Sequence, residues 1–157
     1  MRYIILISLL VLVGYQKPHP VQGTYYSNYN SKPGTDKPYQ LLQIHCVDDK
    51  NLSFYMEVGR GAPDYNSGAL YGILTFNKKS GNYEYLPKDT TDDCKLIFIK
   101  YKNKIVVHTA NGQCPFGYGV YADGTYILKY KTNPKYFYSR TGKKIYFNKT
   151  SPKNFSE

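Results

Sequence analysis

The chain of 157 residues has no tryptophan, only two methionines and three cysteines, and 11 acidic residues against 21 lysines and arginines. After residue 20 it has no apolar run of the roughly 20 residues that a membrane-spanning helix needs. No stretch there keeps a capped 3.6-residue apolar period either. These absences argue against a helical bundle and a transmembrane protein. The abundant residue type is tyrosine, with 19 copies, which favours β-sheets.

The first residues predict a secretory signal peptide over residues 1–14. Arg2 supplies the positive start, and residues 3–13 form an apolar run too short to span a bilayer. The Leu-Val-Gly that ends this segment resembles a bacterial lipobox, but Tyr15 stands where the lipidated cysteine belongs, and tyrosine cannot form that thioether. We therefore expect cleavage after Gly14 and an exported protein, periplasmic or secreted. Loss of Arg2 would lower the formal net charge from +10 to about +9.

Residues 23–131 are predicted to form one β-domain, after a linker at 15–22 and before a basic C-terminal extension at 132–157. Predicted strands cover residues 23–29, 39–47, 52–58, 69–76, 83–86, 94–101, 104–109, 117–122 and 125–130. Gly72 interrupts one of them and indicates a bulge or a close approach. Asp123-Gly124 predicts a hairpin between the last two strands. The extension is expected to hold at most one hairpin, around Thr141-Gly142, and to end without structure.

The regular alternation of short strands and turns favours an all-β, antiparallel meander. We prefer a small closed barrel of about eight strands to a sandwich, because closure hides the sheet edges of an exported monomer.

A disulfide is predicted at the hairpin that turns at Lys102-Asn103. Pairing outward from that turn places Cys94 opposite roughly Asn111, so Cys114 lies within a few residues of it. A Cys94–Cys114 bond would stabilise the fold by about 3 kcal/mol, mainly by restricting the unfolded chain. The alternative is a pair of buried free cysteines. Cys46 is then left over, and we expect it to be a buried strand residue.

Short motifs follow one another in a recognisable order: Gly-Thr-Tyr, Leu-x-Ile, Phe-x-Met, Cys-x-Leu-x-Phe, Ile-x-Val, and then the segment from Cys114 to Tyr126, Cys-Pro-Phe-Gly-x-Gly-Val-x-x-Asp-Gly-Thr-Tyr. Over residues 23–127 this order resembles a group of small, mostly uncharacterised bacterial envelope proteins and lipoproteins. The resemblance implies an exported β-domain and assigns no reaction.

A second motif is Ser-Gly-x-x-Tyr, formed by Ser67, Gly68 and Tyr71. It resembles the recognition motif of the periplasmic and membrane-bound inhibitors of c-type lysozyme, small β-barrels that carry it on a loop entering the lysozyme cleft. The resemblance implies that these three residues contact a protein partner. The alternative is a loop followed by a strand with an ordinary tyrosine. A basic chain would also repel a basic lysozyme.

Basic residues cluster around one turn and along the C-terminal region between tyrosines. They are Lys100, Lys102, Lys104, Lys129, Lys131, Lys135, Arg140, Lys143 and Lys144. Such a surface predicts binding to an anionic envelope component such as lipid headgroups, an acidic glycan or an acidic protein. Nucleic acid, which basic and aromatic surfaces also bind, is not expected for an exported protein. The alternative is that the lysines only keep the chain soluble.

No catalytic residue is assigned. The alternative of a small envelope hydrolase would use Cys46 or His108, with an aspartate such as Asp92. His45 cannot be the base for Cys46, because neighbours on a strand point to opposite faces. No zinc-type spacing and no phosphate-binding glycine loop is present, so we expect no metal and no cofactor.

Together these features predict an exported binding protein without catalytic activity. It would be either an inhibitor or immunity-type protein or a binder of anionic polymer or lipid.

Overall fold

The computed structural model describes residues 21–27, 33, 35–48, 51–87 and 93–155. The predicted signal peptide and most of the linker lie outside the described residues. Eight antiparallel strands close into a barrel, each pairing with the next along the chain and the last with the first. They are β1 (Gly23–Ser27), β2 (Tyr39–Cys46), β3 (Leu52–Gly59), β4 (Ser67–Asn77), β5 (Asn82–Tyr85), β6 (Lys95–Lys100), β7 (Lys104–Asn111) and β8 (Gly124–Tyr130). The predicted all-β barrel of about eight strands is confirmed.

Alternating apolar side chains fill the barrel interior, as expected for an eight-stranded barrel. In β3 the residues that point into the barrel are Leu52, Phe54, Met56 and Val58. They follow the predicted period of two, and all four are buried. Gly72 of β4 lies opposite Phe54, and a Cβ there would come within 2.7 Å of the Phe54 ring and 2.5 Å of the Tyr85 ring. The predicted close approach at Gly72 is therefore confirmed, and it makes room for two aromatic rings in the core.

The hairpin of β6 and β7 turns at Lys102-Asn103 as predicted, with the Tyr101 amide donating to the Lys104 carbonyl at 2.9 Å. Lys95 pairs with Asn111, and the register shifts between Lys95 and Leu96. Cys94 and Cys114 form the predicted disulfide, which closes a loop over a sequence separation of 20. The bond ties the connection after β7 to the start of β6.

The predicted hairpin at Asp123-Gly124 is wrong. Residues 117–122 form an irregular connection instead of a strand. The reason is that β8 pairs directly with β7, with Gly124 opposite Val107 and Ile127 opposite Lys104, so no other strand can lie between them. The Asp123 carboxylate accepts hydrogen bonds from the amide and the hydroxyl of Thr109, at 3.0 and 2.6 Å. Asp123 therefore fastens the connection to β7 instead of forming the turn of a hairpin.

The C-terminal segment forms a second, two-stranded sheet of β9 (Tyr136–Tyr138) and β10 (Lys144–Tyr146), followed by a short 3-10 helix (Pro152–Asn154). The hairpin predicted around Thr141-Gly142 is confirmed. The expectation that this region ends without structure is wrong for the residues described up to 155, because their apolar side chains pack on the outside of the barrel. The outer cluster so formed consists of Tyr55, Tyr71, Phe137, Ile145 and Phe147. As a result β3 is buried on both faces.

Candidate functional site

Strand direction brings three lysine-bearing segments to one end of the barrel, because neighbouring antiparallel strands turn at alternate ends. These are the β4–β5 turn, the β6–β7 turn and the exit of β8. They carry Lys78, Lys79, Lys100, Lys102, Lys104, Lys129 and Lys131, and we call this the lysine end. The Leu128 amide donates to the Asn103 carbonyl at 2.8 Å, and Gln22 donates to the Lys131 carbonyl at 3.4 Å. The β6–β7 turn and the β8 exit therefore lie against each other.

Positive charges are crowded at this end. Lys100 is partly buried, and its ammonium group donates to the backbone carbonyls of Tyr101 and of Lys102, the latter at 3.0 Å. Burial lowers the pKa of Lys100, and the nearby charge of Lys131 lowers it further. Among the described residues of these turns and of the neighbouring β2–β3 turn, the acidic residue is Asp48. An anion would relieve this like-charge crowding.

Aromatic rings accompany the lysines. Tyr101 is exposed, and the Lys104 ammonium lies 5.1 Å from its ring centroid. Phe76 is also exposed and packs against Tyr83 with the ring centroids 5.1 Å apart. The lysine end thus combines ammonium charges with flat aromatic faces, a combination suited to a charged polymer or a headgroup layer.

Of the basic residues predicted along the C-terminal region, Lys129 and Lys131 belong to the lysine end, but three others lie elsewhere. Arg140, Lys143 and Lys144 belong to the β9–β10 hairpin on the side of the barrel. The Lys144 ammonium lies 3.8 Å from the ring centroid of Tyr136 and 5.4 Å from that of Tyr146. The single basic surface predicted from the sequence is therefore two surfaces, the lysine end and the hairpin.

A groove of about 580 Å³ separates this hairpin from the barrel wall. We call it the hairpin groove, and its lining includes Tyr26, Gln43, Glu57, Tyr136, Tyr138 and Arg140. Glu57 is buried at its floor, where its carboxylate accepts hydrogen bonds from the hydroxyls of Tyr39 at 2.8 Å and Tyr55 at 3.1 Å. Sequence reasoning missed this groove. The alternation of Tyr136, Phe137 and Tyr138 could have indicated the strand on one side of the groove, but not the barrel wall on its other side.

The lysozyme-inhibitor-like motif lies in β4 and not on an exposed loop. Tyr71 is 5% exposed, and its hydroxyl donates to the carbonyls of Thr150 at 2.7 Å and Phe147 at 3.3 Å. Burial raises the pKa of this hydroxyl. A Cβ on Gly68 would come within 2.6 Å of the Phe116 backbone. Ser67 starts the strand and is partly exposed. In this structure the motif belongs to the packing of the barrel, so it gives no support to cleft binding by Tyr71.

The residues considered for catalysis are not brought together. Cys46 ends β2 and donates to the Asp48 carbonyl at 3.2 Å. His108 is exposed on β7, with β1 and β8 between that strand and β2, and lies 3.9 Å from the Asp123 carboxylate. Asp92 lies outside the described residues. Within the described part of the chain no group of three or more His, Cys, Asp or Glu side chains could hold a metal ion. Nor does any helix described there have the length and apolar character to cross a membrane.

Comparisons with known proteins returned no matching family model, no matching curated protein and no matching solved structure. The resemblances to envelope proteins and to lysozyme inhibitors therefore remain predictions from the sequence.

Proposed function

We propose that this chain is an exported, non-catalytic binding protein that attaches through the lysine end to an anionic surface of the cell envelope. The observation that carries the proposal is the convergence of lysines from three separate segments on one end of the barrel, where the charge of Lys131 adds to burial in lowering the pKa of Lys100. A surface serving only solubility has no need to gather like charges at a cost in repulsion.

The type of charge indicates the type of ligand. The lysine end carries ammonium groups and no arginine among its described residues. Lysine acts as a point charge on a flexible stem, without the planar fork with which arginine grips one carboxylate or phosphate. Several such charges fit an array of phosphates or carboxylates better than one small anion. Near an anionic membrane each contributes about 1 kcal/mol, so the sum gives firm but salt-sensitive binding.

The test compares vesicles of phosphatidylcholine with and without phosphatidylglycerol, and in a second arm the soluble polymer polyphosphate. The variant Lys102→Glu/Lys104→Glu/Lys131→Glu should lose at least about 100-fold in affinity, because three lysines contribute about 1 kcal/mol each. The matched control Lys37→Glu/Lys143→Glu/Lys153→Glu has the same net charge but leaves the lysine end intact. It should lose far less.

Two outcomes would contradict the proposal. One is equal loss in both triple variants, which would mean that only net charge matters. The other is an affinity that does not fall between low and high salt, since exposed charges are screened beyond about 10 Å at 0.1 M. Binding to vesicles but not to polyphosphate would identify lipid as the source of the anions, and the reverse would identify a polymer.

A second candidate, an inhibitor or immunity-type protein, is favoured by the opposite end of the barrel. Tyr118 is 90% exposed, and Tyr121 and Tyr65 are exposed on the same and the adjacent loop. These loops are joined by a hydrogen bond from the Asn66 amide to the Tyr118 carbonyl at 3.0 Å. Exposed tyrosines are typical of protein-binding surfaces. Under this candidate Tyr118→Ala would abolish partner binding, and the lysine-end triple variant would keep it.

A further inference from the structure

We propose that the partner of the lysine end is an anionic lipid bilayer, and that apolar side chains beside the lysines insert into its surface. This inference rests on the proposed function, because it takes the same end of the barrel and names what covers it. The β2–β3, β4–β5 and β6–β7 turns all lie at this end. Each carries a large apolar or aromatic side chain: Val47 directly after β2, Phe76 next to the end of β4 and Tyr101 directly after β6.

These three side chains are open to a partner. Val47, Phe76 and Tyr101 are 59%, 50% and 49% exposed. Phe76 continues the inward series of Leu70 and Leu74 along β4, so its ring lies at the mouth of the barrel, where it packs against Tyr83 and leaves half of its surface in water. Apolar surface gathered at one end of a protein is more stable when a partner covers it.

Lysines stand next to these apolar groups in the same turns. Lys78 comes two residues after Phe76. Lys102 directly follows Tyr101, and the Lys104 ammonium lies 5.1 Å from the Tyr101 ring centroid. The surface of an anionic bilayer has the matching two layers, with phosphates outside and hydrocarbon beneath, and aromatic rings favour the boundary between them. A lysine can lay its apolar stem along that boundary and keep its charge among the phosphates.

Other partners match only part of this surface. A soluble polyanion would pair with the lysines but offers no hydrocarbon layer to Val47, which has no flat face for stacking. A second copy of the chain, docked through the same end, would bring like charges together. An acidic protein would need one patch that is both acidic and apolar, whereas an anionic bilayer presents both over its whole area.

The first experiment uses the absence of tryptophan from the chain, so that one introduced indole reports its own surroundings. Tyr101→Trp places the indole at the lysine end. The matched control Leu86→Trp places it at the opposite end, where Leu86 follows β5 and is 61% exposed. The vesicles contain phosphatidylglycerol and a phosphatidylcholine with brominated acyl chains, because bromine quenches indole fluorescence at short range. We expect blue-shifted and quenched emission for Tyr101→Trp and neither change for Leu86→Trp.

A second experiment measures the contribution to affinity without altering the net charge. Val47→Ser/Tyr101→Ser should weaken binding to phosphatidylglycerol vesicles at least about tenfold, equivalent to 1.4 kcal/mol, because less apolar surface leaves water. Both positions are exposed, so the barrel core is untouched. Leu86→Ser is the control and should bind as tightly as the wild type. Binding to polyphosphate, which has no hydrocarbon layer, should be the same for the double variant and the wild type.

The proposal is overturned if the wild type does not bind the vesicles, if the emission of bound Tyr101→Trp stays unchanged, or if Val47→Ser/Tyr101→Ser binds as tightly as the wild type. Equal losses toward vesicles and polyphosphate would also overturn it, because the side chains would then serve a polymer. These failures differ from failure of the proposed function. Salt-sensitive binding to either probe that is lost in Lys102→Glu/Lys104→Glu/Lys131→Glu would still support attachment through charge alone.

Discussion

His45 is a single residue whose environment depends on a distant segment. Its ring stacks on Phe147 with centroids 5.0 Å apart, and its Nδ1 donates to the Pro134 carbonyl at 2.8 Å. Burial lowers the pKa of His45, although the hydrogen bonds to Pro134 and Asn133 oppose that shift in part. The folded protein therefore holds the neutral imidazole.

This pKa shift predicts that the protein loses stability in mild acid. The unfolded chain, with a histidine pKa near 6.5, takes up a proton before the folded chain does, so the free energy of unfolding falls as the pH drops from 6.5 through the lowered folded pKa. Above pH 6.5 the contribution is fully present. The free energy of unfolding, measured with urea between pH 5 and 8, should depend less steeply on pH for His45→Phe than for the wild type, because phenylalanine keeps an aromatic ring but cannot titrate. Parallel slopes for the two proteins would rule out the effect.

Tyr71 shows where residue-level prediction from the sequence stops. Its motif is visible in the sequence, but its burial is not, because the carbonyls that accept its hydroxyl belong to Phe147 and Thr150, with a sequence separation of 79 for the latter. The same limit applies to Glu57, a charged residue that would be expected to face solvent. Both are covered by a segment for which the sequence predicted little structure.

At the scale of elements, the β9–β10 hairpin is held by one face only. Phe137 is 1% exposed and contacts Tyr55, Tyr71, Phe147 and Phe155 through their rings, whereas its neighbour Tyr138 is 54% exposed. A three-residue strand has too few backbone hydrogen bonds to stand alone. The hairpin therefore depends on Phe137.

Phe137→Ala should accordingly lower the free energy of unfolding by about 3–5 kcal/mol, the range for a buried phenylalanine. Tyr138→Ala, on the same strand but facing solvent, should change it by at most about 0.5 kcal/mol. Chemical denaturation of the two variants beside the wild type makes the comparison. Similar effects from both substitutions would mean that the hairpin does not anchor through this ring.

Elements were predictable where the local pattern and the barrel agree. The period of two in β3 and the turn at Lys102-Asn103 both predict what the structure contains. The hairpin predicted at Asp123-Gly124 is wrong because a turn signal depends only on neighbouring residues. The partners of β8 are decided instead by closure of the barrel, which pairs it with β7 and β1. The hairpin groove could not be predicted, since it exists only between elements distant in sequence.

At the scale of the whole molecule, closure means that every barrel strand has two partners and that no barrel edge stays open. The Cys94–Cys114 disulfide acts at this scale, because it restricts the unfolded ensemble as a whole. Its loop encloses β6 and β7, and the connection that carries Tyr118 and Tyr121 begins directly after Cys114.

Removal of the disulfide by Cys94→Ser/Cys114→Ser should lower the free energy of unfolding by about 3 kcal/mol, the loop-entropy value for a separation of 20 residues. Cys46→Ser removes a free thiol and serves as the control, with a smaller expected effect. If the urea midpoint of Cys94→Ser/Cys114→Ser coincides with that of the wild type, the disulfide does not contribute to stability.

The packing of the C-terminal segment on the outside of β3 has a consequence for how the chain folds during synthesis. The residues that bind to β2 and β4 from outside emerge late: Pro134 follows its partner His45 by 89 positions, and Thr150 follows Tyr71 by 79. Until they arrive, the aromatic outer faces of Tyr55 and Tyr71 are open to any other apolar surface. A nascent chain delivered from its N-terminus therefore passes through a stage with a nearly complete barrel and one uncovered wall, and that stage is where a chaperone would be needed most.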